Sequence, residues 1–285
     1  MATATATAQR TDPVTLRWTY LLAYLAAVVV AEVLIAIPDA TDPIARPFEP
    51  VGLGLHILLV FGLIFLSVLL EPRDATLAPL LVAASLASLV RVFSLAVPRY
   101  GFFGSDPTDV QNTVPWLALV SVPLLVSVGV VAYVQRLGLR DLGLRFARWE
   151  HVPVQAAIAL TGIPLGVVEF LILKPEPWIR PLAAGTLLLG GIVILLATGL
   201  SEELIFRAIL LRHAIAGLGE TGGLLYVTTI FASLHIFFLN GVDLAFVFGV
   251  GLFYGLVVLR TKNLWGAIFS HSLGNVVLYL VAPLV

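Results

Sequence analysis

The chain has 285 residues, of which 60% are hydrophobic and only 12% charged, with a net charge of −1 and no cysteine. Soluble domains carry about 25% charged residues, so this composition, with a mean hydropathy of +1.04, belongs to an integral membrane protein. The absence of cysteine excludes disulfides, a thiol nucleophile and a cysteine metal site. The near-neutral charge gives no footing for nucleic acid.

A membrane span needs about 20 apolar residues. Met1 to Asp12 is small and polar and lacks the apolar core of a signal peptide, so residues 1–17 are expected to form a disordered cytoplasmic tail. Nine candidate spans follow, at about 18–37, 51–70, 77–97, 114–134, 152–173, 182–204, 222–239, 244–260 and 264–282. An eight-span reading places one weaker segment in the interface. The expected fold is therefore all-α, a polytopic bundle of about 8–9 transmembrane helices. Residues 18–135 form a first group of spans, 136–151 an arginine-rich cytoplasmic loop and 152–285 a second group. The sixth span has Gly199 as its only Gly or Pro between Ile192 and Ala216, so its helix is free to continue to about Ala216. The glycine-rich stretch Gly217 to Gly223 ends it.

Lys and Arg in the connections set the orientation. With the N-terminus in the cytoplasm, the inner connections hold Arg10, Arg17, Arg73, Arg136, Arg140, Arg145, Arg148, Arg207, Arg212, Arg260 and Lys262. The outer ones hold Arg46, Arg99, Lys174 and Arg180. The asymmetry puts the N-terminus inside and the C-terminus outside, in a multi-pass protein of the cell membrane.

Isolated polar residues in the spans have structural readings. His56 is expected to pack, and His151 and His213 to be solvated. Glu32, Arg91 and Glu169 fall toward the outer ends of their spans, and Arg91 is expected to pair with one of the two acids, because a buried charge needs a partner.

Ser201-Glu202-Glu203-Leu204-Ile205-Phe206-Arg207 is different. Three ionisable side chains at membrane depth are costly and mark function. Glu203 and Arg207 are four residues apart and can pair on one helix face. Glu202 lies about 100° round the helix and must face something else. We read Glu203–Arg207 as a brace and Glu202 as the working carboxylate. Phe231-Ala232-Ser233-Leu234-His235 lies in the seventh span and His271-Ser272-Leu273-Gly274-Asn275 in the ninth. The four-residue spacing puts His271 and Asn275 on one face. Ser270, Ser272 and Gly274 keep that helix thin, so that a neighbour can approach closely. A glutamate, two histidines and an asparagine make an acid–base and oxyanion set.

Glu-Glu-x-x-x-Arg, Phe-x-x-x-His and His-x-x-x-Asn, in this order and each in its own span, resemble the CPBP (CAAX protease and bacteriocin-processing, or Abi) family. This family includes the CAAX prenyl endopeptidases. The resemblance covers Glu202 to Asn275; the first four spans carry nothing that matches. It implies hydrolysis of a peptide bond within the membrane. Glu202 resembles the catalytic glutamate, His235 the histidine that shares its water, and His271 with Asn275 the oxyanion pair. Glu203, Arg207 and Phe231 match the supporting positions. The site is expected to open to the cytoplasmic side, with a peptide or membrane-protein substrate and the lipid bilayer as partners. A prenylated substrate is not implied.

No cofactor is favoured. Zinc is the alternative, held by Glu202, His235 and His271 as the three protein ligands of an open site, yet the chain has no His-Glu-x-x-His helix. Two non-hydrolytic readings are a binding or immunity protein of the same family and a proton-coupled transporter. The expected boundaries leave a difficulty of depth. At about 1.5 Å per residue, His271 lies about 10 Å and His235 about 20 Å below the cytoplasmic face, while Glu202 sits near the face itself.

Overall fold

The computed structural model describes residues 13–41, 45–97, 110–145, 149–180 and 182–285. Among the described residues every regular element is helical. The first half contributes α1 (Pro13–Ala36), α2 (Glu49–Leu70), α3 (Leu77–Ala96) and α4 (Thr113–Val134). The fifth helix, α5 (Val152–Leu173), follows. Eight stretches of the described residues are long and apolar enough to cross a membrane, and the sixth, Ala184–Phe238, runs to 55 residues.

That stretch is a hairpin. Gly219 has φ 79° and ψ 169°, a conformation open in practice only to glycine. The chain doubles back there, bringing Gly223 against the backbone of Ala214 and Ile215. We label the arms α6 (184–218) and α7 (220–233). They are followed by α8 (Gly241–Thr261) and α9 (Trp265–Val276), which runs on through a π-helical turn at Val277–Val281. The oxygen of Asn240 accepts from the amides of Val242 and Asp243 at 3.0 and 3.1 Å, capping α8 and relieving two orphan donors.

Helix α6 is central. Every residue from Leu204 to Leu211 is buried, Arg207 included, so this part of the helix is enclosed by others on all sides. Helices α1 to α4 pack on one side of the α6–α7 hairpin, and α5, α8 and α9 complete the other. Lipid-facing surfaces stay apolar, as at Leu58, Phe61, Phe65 and Val68 of α2. The thin face expected on α9 is present. Gly162 and Gly166 of α5 lie against the carbonyls of Ser270 and Gly274, and Gly199 of α6 lies against Ser272, so close that a Cβ at any of the three would collide.

The two ends of the bundle differ in charge. At one end the Gly219 turn meets the arginine-bearing connections. Arg17 pairs with Asp74 at 2.7 Å and donates to the Gly217 carbonyl at 3.2 Å. Arg212 pairs with Asp141 at 3.0 Å, and the Leu264 amide donates to the Gly143 carbonyl at 2.9 Å. The opposite end holds the connections after α1, α5 and α7. Two expectations change here. The tail expected over 1–17 is shorter, because Pro13 to Arg17 are already helical; residues 1–12 lie outside the described residues, as do Arg99 and Arg148. His213, expected to be solvated, bonds through Nε2 to Gln135 Oε1 at 2.8 Å.

Candidate active site

Continuation of α6 to the Gly219 turn removes the difficulty of depth. Glu202 lies 17 residues before Gly219 and His235 lies 16 after it. At about 1.5 Å per residue both stand roughly 25 Å from the turn. The shared turn therefore brings the two residues level across the hairpin.

Locally, α6 departs from regular α-helix on both sides of the acidic pair, with π-helical turns over Leu195–Leu200 and Leu204–Leu210. Such turns concentrate at functional sites because they re-aim side chains. The Ser201 and Thr198 hydroxyls bond back to the carbonyls of Ala197 and Ile194, a pairing that bends helices.

Glu203 is fully buried. Its Oε1 accepts from Arg207 Nη1 at 3.0 Å and from His271 Nδ1 at 2.9 Å. Arg207 lies 4.1 Å from the Phe231 ring centroid, a cation–π distance, and also donates to the Gly251 carbonyl at 3.4 Å. A carboxylate can only accept, so Nδ1 of His271 carries hydrogen and Nε2 is the free nitrogen. That nitrogen is 3.9 Å from Glu202 Oε2. The adjacent glutamates thus divide: Glu203 holds arginine and histidine in the interior, while the Glu202 side chain keeps 20% exposure.

His235 stands just past the end of α7, with φ −96° and ψ 1°. Its Nδ1 donates to the Phe231 carbonyl at 3.0 Å, so its Nε2 is also free. Asn275 Nδ2 donates to Thr198 Oγ1 at 3.0 Å.

A second cluster supports this end of α7. Arg91 holds Glu32 through two hydrogen bonds of 2.8 Å and donates to the Leu234 carbonyl at 2.6 Å. It thereby satisfies one of the orphan carbonyls at the end of α7, one residue before His235. His56 is buried with Nε2 3.1 Å from Glu32 Oε1, within ion-pair reach but off line for a hydrogen bond. Of the two acids expected for Arg91, the partner is Glu32.

Glu202, His235, His271 and Asn275 all line one cavity of about 190 Å³. Its walls also carry Glu169, Thr198, Trp178, Phe231, Tyr254 and Tyr279. A second cavity of similar size shares Thr198, Glu202, Phe231, His235 and Phe238 and extends to Arg91 and Trp116. Both lie in the half of the bundle away from the arginine-bearing end. Trp178 and Phe238 belong to connections at the far end, and Trp178 stacks on Tyr279 with centroids 3.7 Å apart. The lining residues therefore lie toward the end remote from the Gly219 turn, because α6 carries Glu202 so far from that turn.

Residues 184–277 match a family model described as type II CAAX prenyl endopeptidase Rce1-like. The match agrees with the CPBP resemblance carried by the motifs in this part of the chain. The match spans α6 to α9 and contains every motif residue named above; it supports an intramembrane endopeptidase of the CAAX-protease type, in an integral multi-pass membrane protein. No curated protein and no solved structure matches the chain. Among the described residues, no three His, Asp or Glu side chains converge as a set that could hold a metal ion.

Glu169, Thr198 and Tyr254 were not part of the expected site. Thr198 is four residues before Glu202, a spacing that places both on one face. Glu169 is an acid at membrane depth, itself a functional signal. Nothing in the sequence distinguishes Tyr254.

Proposed function

We propose that the protein hydrolyses peptide bonds within the membrane, with Glu202 as general base. The supporting observation is that Glu202, His235, His271 and Asn275, from three separate helices, line one cavity. In this reading a water rests between the Glu202 carboxylate and the free Nε2 of His235. Glu202 takes a proton from that water as its oxygen attacks the carbonyl carbon. Negative charge then builds on the carbonyl oxygen, where the second N–H of Asn275 Nδ2 and Nε2–H of an imidazolium at His271 donate to it. Collapse breaks the C–N bond, and the proton held by Glu202 passes to the departing amine. Glu203 fixes the His271 ring through Nδ1, and Arg207 with Phe231 fixes Glu203.

The reading is metal-free. Glu202, His235 and His271 could supply zinc ligands by type, but the described geometry does not gather three such side chains on one point. Activity is expected to survive exhaustive chelation. Loss with chelator and return with zinc would reverse this part of the proposal.

The decisive experiment compares newly formed peptide termini in membranes carrying wild type or Glu202→Gln. Termini present with wild type and absent with the variant are expected. Identical profiles, with both proteins equally abundant, would remove hydrolysis at Glu202.

A further inference from the structure

We infer that the catalytic cavity is reached from the extracytoplasmic side, so that the substrate is a polypeptide segment presented there. The inference deepens the hydrolytic reading and rests on it for the word substrate. Its first support is the charge of the two ends. Among the described residues, Arg17, Arg73, Arg136, Arg140, Arg145, Arg212, Arg260 and Lys262 lie in or beside the connections of one end. Only Arg46, Lys174 and Arg180 do so at the other. Short connections rich in Lys and Arg stay in the cytoplasm. The end with the Gly219 turn is therefore cytoplasmic.

The second support is the lining of the cavities. On every helix the lining positions run from mid-bundle toward the far end. On α9 they proceed from His271 through Asn275 to Tyr279, and on α8 from Tyr254 back to Phe246. On α3 they are Val90, Arg91 and Ser94, near that helix's far terminus, and on α4 they begin at Trp116. Between these residues and the cytoplasmic end stands the buried brace of Glu203 and Arg207, packed among Phe206, Phe231 and Tyr254.

The two cavities meet at Glu202 and His235. An extended segment entering from the far end would cross the catalytic pair with one flank on each side. One flank meets the wall with Glu169, and the other meets the apolar wall of Trp116, Leu117 and Val120. This geometry suits an exported polypeptide or an outer-leaflet segment of a membrane protein, and excludes a cytosolic tail.

The chain has no cysteine, so single-cysteine variants report without background. Phe238→Cys and Leu239→Cys mark the far end, and Arg212→Cys marks the Gly219 end. A membrane-impermeant maleimide is applied to intact cells of a bacterial host and to permeabilised ones. Full labelling of Phe238→Cys in intact cells is expected, with labelling of Arg212→Cys lost until permeabilisation. Leu239, 60% exposed, reads the same end if Phe238→Cys fails to accumulate. Any other pattern overturns the inference. Labelling does not depend on activity. The expected labelling combined with cleavage unchanged in Glu202→Gln would leave the sidedness standing and remove the hydrolytic reading alone.

Discussion

The molecule contains two buried clusters of the same composition, one in each half, and they are built in opposite ways. In the motif-bearing half, Glu203 is held by Arg207 and His271. In the half without motifs, Glu32 is held by Arg91 and approached by His56. The first pair lies four residues apart on one helix and aligns as soon as the helix forms. The second is separated by 59 residues and exists only once α1 and α3 pack. Both pairs meet the need of a buried charge for a partner, but only the first stands beside a second, unbraced carboxylate, Glu202. The other ends on the Leu234 carbonyl, next to His235. One cluster carries the proposed chemistry, and the other holds part of its frame.

The largest effect is expected at the first brace. Glu203→Gln leaves Arg207 charged and unpaired in the interior, a change that typically costs about 3–5 kcal/mol. Glu202→Gln, at a carboxylate facing the cavity, is expected to unfold in detergent at the wild-type temperature. Equal melting of wild type and both variants would end the division of labour between the two glutamates.

Next comes the donor assigned to the oxyanion. Loss of one such donor typically lowers kcat by about 10²–10³. Asn275→Ala is expected to show that loss with binding nearly unchanged, in single-turnover cleavage of a membrane-inserted peptide reporter. A defect confined to binding would turn Asn275 into a packing residue tied to Thr198.

The second cluster is expected to give less, because removal of Arg91 leaves the buried Glu32 with His56 Nε2 still 3.1 Å from its Oε1. Hydrogen bonds to charged groups are worth about 1.5–3 kcal/mol, and Arg91→Met is expected to cost that much by thermal denaturation. The double variant Glu32→Gln/Arg91→Met should recover part of the loss, as contacting residues are non-additive. Strict additivity would show that the second cluster is not a unit.

The smallest effect lies outside the spans. Burial pushes the Asp74 carboxyl up, but the hydrogen bonds from Arg17 and from the Leu77 and Thr76 amides outweigh it and hold it below the usual carboxylate range. Its contribution is therefore present above the ordinary carboxylate pKa and is lost as pH falls through the lower, folded-state value. Asp74→Asn should flatten the acid limb of stability against pH by less than about 1 kcal/mol, in keeping with a pair at the surface. An unchanged acid limb would show that Arg17 holds the Gly219 turn without help from Asp74.

Composition and spacing were enough for the helical membrane bundle, because about 20 apolar residues in succession can satisfy their backbone in lipid only as a helix. They were enough as well for the internal geometry of each motif: Glu203 with Arg207, and His271 with Asn275, are related by one helical turn within a single element. The relations between elements were decided by the tertiary structure. The level of Glu202 against His235 depends on where α6 reverses, and the glycine-rich stretch 217–223 offers several positions for a turn of which packing selects Gly219. Thr198, Glu169 and Tyr254 join the cavity, and Arg91 joins Glu32, through contacts between helices far apart in the chain. No periodicity records such contacts, because the hydrophobic pattern of a membrane helix says that it is buried in lipid or protein without saying which neighbour it meets.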